Sequence, residues 1–68
     1  MASDYLFRTY DGRGRLTGET WETRQTAINR GKRARVAGVK FRLDRLNNDA
    51  KLIPCDHIVY EVDPHIEI

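Results

Sequence analysis

One cysteine, one tryptophan, two prolines and no long apolar run set the first limits on this 68-residue chain. Cys55 has no second cysteine to pair with, which excludes the disulfide framework of small secreted domains and favours a reducing compartment. No apolar stretch approaches the 18 or so residues of a membrane-crossing helix, and the opening MASDYLFRTY lacks the charged-then-apolar pattern of a secretory signal. A cytoplasmic location without a membrane partner is the resulting expectation. Sixty-eight residues are too few to divide their apolar surface between two cores, so residues 1–68 read as a single domain. A domain of this size buries only about 60% of its unfolded surface, which leaves dimerisation open as a source of further burial. With 40% hydrophobic and 32% charged residues, the composition is that of a soluble globular chain with a polar surface.

What is plentiful is positive charge in one place. The segment RQTAINRGKRARVAGVKFRLDR, from Arg24 to Arg45, holds eight of the twelve Lys and Arg residues against Asp44 alone, a net of +7. Residues 1–23 carry a net of −1 and residues 46–68 a net of −4, so an overall charge of +2 conceals a basic middle.

The elements can be placed from period and punctuation. Asp4 to Tyr10 alternates, with Tyr5, Phe7 and Thr9 on one side and Leu6, Arg8 and Tyr10 on the other, as a first strand does. Asp11-Gly12-Arg13-Gly14 supplies hairpin-turn chemistry, and a second strand returns over Arg15 to Trp21 with Gly18 marking a bulge or close approach. Thr20 and Thr23 are both suited to capping a helix from about Arg24 to Val36. Its buried stripe of Ala27, Ile28, Gly31 and Ala34 is thin, and Gly38 suits the left-handed residue that ends it. Val39, Phe41 and Leu43 then alternate with Lys40, Arg42 and Asp44 in a half-buried third strand. Asn47-Asn48-Asp49-Ala50 turns the chain into a fourth strand through Lys51 to Ile53. Pro54 is expected at an edge or bulge. The strand resumes from about His57 to Val62 with Ile58, Tyr60 and Val62 on one face, and Asp63-Pro64 ends regular structure before a tail at His65 to Ile68. The expected fold is α+β with two layers: a four-stranded antiparallel sheet, order strand-strand-helix-strand-strand, with one helix on a face. Phe7, Trp21 and Phe41 are assigned to the core, and Tyr5, Tyr10 and Tyr60 are left free for an interface.

Catalytic and metal chemistry find little to stand on. Cys55 and His57 share a face in an extended chain, but no oxyanion pocket accompanies them. Together with His65 they form neither a CxxC nor a paired-histidine motif. Gly12 and Gly14 precede a strand and lack the lysine of a phosphate loop. No cofactor, metal or reaction is therefore expected. The basic segment remains: Arg24, Arg30, Lys32, Arg33, Arg35, Lys40 and Arg42, with Tyr10 as an aromatic neighbour, form the candidate surface for nucleic acid or a nucleoprotein complex. Four or five such cations on duplex phosphates imply a slope of log K against log salt of about −4. No RNA-recognition run, zinc finger or helix-turn-helix partner is present, so reading of base sequence is not expected.

The pattern of a hairpin with DGRG, a helix with RGKRAR and a second hairpin with VKFRLDRLNNDAKL resembles the small two-hairpin-plus-helix proteins of phages and mobile elements. Among these it is similar in length and order to some anti-CRISPR proteins. The resemblance implies a non-enzymatic inhibitor that binds a host RNA-guided complex. Of the two sets that could make that contact, the basic Arg30, Lys32 and Arg33 and the acidic Asp56, Glu61 and Asp63, the denser basic set is the one expected to do so. The alternative reading is a stand-alone nucleic-acid-binding accessory domain.

Overall fold

The computed structural model describes residues 3–62. Its elements run β1 (Tyr5–Tyr10), β2 (Leu16–Glu22), α1 (Arg24–Ala37), β3 (Lys40–Leu46), β4 (Leu52–Pro54) and α2 (His57–Val62). The four strands form one antiparallel sheet in the order β2-β1-β3-β4. This is the α+β two-layer architecture expected, with α1 between β2 and β3, and with a short second helix added. The expected end of regular structure at Asp63-Pro64 and the tail at His65 to Ile68 lie outside the described residues. No helix among the described residues is long and apolar enough to cross a membrane.

The turns hold by local side-chain chemistry. Asp11 Oδ1 accepts from the backbone N–H groups of Arg13 and Arg15 at 2.8 and 2.9 Å, and Asp11 Oδ2 from Arg15 Nε at 3.0 Å. These donors hold the Asp11 carboxyl below the usual aspartate range, the backbone bond from Arg15 first among them. The left-handed residue of this turn is Gly14, at φ 80°, rather than Gly12. At the second hairpin Asn47 Oδ1 accepts from Asp49 N and Lys51 N. There the positive φ falls on Ala50, at 59°, rather than on an Asn or Asp.

Thr23 caps α1, its hydroxyl accepting from Thr26 N at 3.4 Å. Gly38 ends the helix in the left-handed region at φ 72°. Ala27, Ile28, Gly31 and Ala34 are the residues α1 buries, as the helical period predicts. Ala27 and Ala34 join Tyr5, Phe7 and Leu43 in the core cluster, and the Phe7 and Phe41 rings stack with centroids 5.6 Å apart.

Four expectations are corrected. His57 to Val62 is a helix, not a strand with Ile58, Tyr60 and Val62 on one face. The chain leaves the sheet after Pro54: Cys55 N donates to Leu43 O at 2.9 Å, and Asp56 Oδ1 accepts from Leu43 N at 2.6 Å. Both backbone groups of Leu43 are thereby consumed and the ladder ends. The segment turns into the helical layer and buries Val59 against α1, and this packing overrides the β-propensity of HIVYEV. Tyr5, expected to be free, is 8% exposed and lies in the core. Val39, expected with Phe41 and Leu43 on the buried side, stands just before β3 and is exposed. Trp21, assigned to the core, is 48% exposed.

Candidate nucleic-acid interface

The position of Trp21 follows from register. Phe7 faces α1, so its neighbours Leu6 and Arg8 face away from it. Trp21 pairs with Leu6 and therefore shares that outer face. The same pairing lays out three rows across the face that α1 and α2 leave uncovered. Trp21, Leu6, Asp44 and Pro54 form the first row, Glu19, Arg8 and Arg42 the second, and Leu16, Tyr10 and Lys40 the third. The bulge between Thr9 and Tyr10 brings Leu16 into the third row. It adds Thr17 on the opposite face, where its hydroxyl meets that of Thr9 at 3.0 Å. Gly18 sits beside this bulge because a Cβ there would come within 2.9 Å of Thr9 Oγ1.

At the centre of the face, Arg8 and Arg42 are directly opposed on neighbouring strands. Opposed like charges repel, and Asp44 removes the conflict by accepting from both: Arg8 Nη2 bonds Asp44 Oδ2, and Arg42 Nε reaches Oδ1 and Oδ2 at 3.0 Å each. Asp44 is fully buried, whereas half of the Arg42 side chain remains exposed. The hydrogen bonds and charge of Asp44 raise the pKa of Arg42 further above its already high value. Beside this pair a shallow groove of about 620 Å³ is lined by Tyr10, Lys40, Arg42 and Pro54, among others. The outer face thus presents aromatic rings at its first and third rows with cations between and beside them.

The remaining cations of the candidate surface are on the other side of the molecule. Arg30 Nε pairs with Glu22 Oε2 at 2.8 Å, and the Arg35 guanidinium lies 4.5 Å from the centre of the Tyr60 ring. Arg24 is exposed in the first turn of α1, Arg33 is exposed beside the groove between α1 and Thr9, and Lys32 is half-buried. The basic stretch from Arg24 to Arg45 is therefore split. Lys40, Arg42 and Tyr10 come together on the open sheet face, while Arg24, Arg30, Lys32, Arg33 and Arg35 lie in the helical layer. Arg8 and Trp21, absent from the candidate set, complete the sheet face; the alternation of β1 carried the signal for Arg8, whereas the side of Trp21 follows only from the register of β2 against β1.

The other chemistry considered does not assemble. Cys55 is 7% exposed, and burial pushes its thiol up to about 11, the opposite of an activated nucleophile. Among the described residues no group of three or more His, Cys, Asp or Glu comes together as metal ligands would. In the acidic set, Asp56 is committed to Leu43 N, Glu61 is exposed on α2, and Asp63 lies outside the described residues. No protein-family model, curated protein or solved structure matches the chain.

Proposed function

We propose that the chain is a non-enzymatic binding domain that takes an unpaired nucleic-acid strand, free or displayed by a nucleoprotein complex, on the open face of its sheet. The observation that carries this reading is Trp21: the one tryptophan of the chain stands half in water on the uncovered sheet face, one row from the opposed Arg8 and Arg42. Base stacking on an exposed ring is worth about 1–3 kcal/mol per base and needs a base whose face is free, which a single strand offers and a duplex hides. Lys40 and the half-exposed Arg42 supply phosphate neutralisation at the same place, while Asp44 and Glu19 offset part of the charge of Arg8 and Arg42. The helical-layer cations add a long-range positive field that attracts the same ligand and speeds encounter. The lone long helix has no helix-turn-helix partner among the described residues, which argues against major-groove reading.

We place the protein in the cytoplasm, where the unpaired thiol of Cys55 stays reduced. Inhibition of a host RNA-guided complex, in the manner of anti-CRISPR proteins, is the form this activity takes if the chain is phage-borne; that form rests on element order and charge. The test is a titration of labelled single-stranded DNA, single-stranded RNA and duplex at two salt concentrations. Tighter binding of either single strand than of duplex, weakening with salt, is expected. Preference for duplex, or retention by an RNA-guided complex that is unchanged when its nucleic acid is removed, counts against the open-face reading.

A further inference from the structure

Resting on that reading, we infer that Arg8 and Arg42, tied together by Asp44, form a preset clamp for backbone phosphate, with bases two positions apart stacked on Trp21 and Tyr10. The triad is poorly explained by stability. A fully buried carboxylate loses its hydration, and an apolar set of similar volume often serves a fold as well or better. What Asp44 does achieve is orientation. It fixes two guanidinium groups on adjacent strands, and Arg42, which engages Asp44 through Nε, keeps its Nη groups at a half-exposed side chain. Guanidinium forks of this kind match the oxygens of a phosphate.

Spacing supplies the second argument. Trp21 is level with Leu6 and Tyr10 is four residues further along β1, a separation of roughly 14 Å at about 3.4 Å per residue. The Arg8–Arg42 row falls midway. That span is longer than one nucleotide step of a single strand, so for a strand lying along β1 the two rings match bases two positions apart, with the cation pair at the phosphates between them. Asp44 is thus a positioning residue, and Arg8 and Arg42 are the phosphate-binding pair.

The test follows Trp21 fluorescence during titration with oligothymidylate and oligouridylate over a range of salt, for the wild type, Arg42→Gln and Arg42→Lys. Arg42 is half-exposed, so both variants should fold, and far-UV circular dichroism checks this. The clamp predicts that Arg42→Gln binds roughly tenfold more weakly at low salt, as expected for losing one charge-assisted hydrogen bond. It also predicts a slope of log K against log salt that is shallower by about 0.7, one single-strand phosphate contact. Arg42→Lys keeps the charge and loses the fork, so it should keep the slope while still binding more weakly. Wild-type affinity and slope in Arg42→Gln, with Trp21 still quenched, would overturn the clamp and leave the open-face reading standing. No quenching of the wild type by either oligonucleotide overturns both.

Discussion

Gly31 of α1 and Val59 of α2 are packed so closely that a Cβ on Gly31 would lie 2.5 Å from Val59 Cγ2 and 3.3 Å from the Phe41 ring. Helix propensity alone says that Gly31→Ala should stabilise α1 by about 1 kcal/mol. Overpacking costs typically 1–3 kcal/mol and should win, since Val59 is fully buried and has nowhere to move. We expect Gly31→Ala to lower stability by about 1 kcal/mol, a fall in Tm of roughly 4–8 °C for a domain this small. In a Val59→Ala background the same change should become neutral or stabilising, and thermal melts of the four proteins of this cycle check both signs.

Asp44→Ala leaves Arg8 and Arg42 opposed without their shared acceptor. Breaking a buried ion pair costs about 3–5 kcal/mol, and the partial exposure of both arginines places this case at about 3 kcal/mol. Urea unfolding measures it. A loss within experimental error of zero would mean that water already screens the opposed guanidinium groups.

Cys55 provides the pH dependence. Burial first, then the charges of Asp44 and Asp56, lift its thiol from the ordinary 9.0 to about 11. The folded state therefore holds this proton more tightly than the unfolded chain does. The contribution is complete below about pH 9 and is lost as pH rises through about 11. The difference in urea midpoint between the wild type and Cys55→Ala should be constant up to about pH 9 and change only above it, to the disadvantage of the wild type. A difference already shifting near neutrality would contradict the burial of this thiol.

Arg33 separates attraction from contact. It is exposed on α1 and borders the groove between that helix and the Phe7–Thr9 side of the sheet, opposite the rows of the open face. Arg33→Glu should slow association at low salt and lose that effect at high salt, as a long-range field does. The change in Trp21 fluorescence at saturation should stay as in the wild type. Stopped-flow mixing gives the rate and the end point in one experiment, and a diminished end point would move the contact surface to the helix.

Most of the architecture was legible because each element carried its own signal. Thr23 and Gly38 bracket α1, alternation marks β1 and β3, and the small residues Ala27, Gly31 and Ala34 mark the face that approaches its neighbours. The misassignments of HIVYEV and Trp21 came from tertiary choices that local sequence does not make. HIVYEV has the composition of a strand, and only the space above Gly31 makes it a helix. Trp21 was misplaced because the alternation separated the two faces of each strand, but only the register of β2 against β1 ties Trp21 to Leu6 rather than to Phe7; Tyr5 shares the Phe7 side of β1, so its burial was already legible in the alternation. The charge run from Arg24 to Arg45 was visible as a run. Its division between two sides of the molecule depends on α1 and β3 lying in different layers.

The most direct test is the intrinsic fluorescence of Trp21, the sole tryptophan, on addition of a single-stranded oligonucleotide at low salt. Stacking of a base on the half-exposed ring should quench the emission in a saturable way. The quench should be reversed by salt, and duplex of the same length should produce much less of it. Emission that stays unchanged while a labelled oligonucleotide binds would place the contact elsewhere and contradict the open sheet face as the working surface.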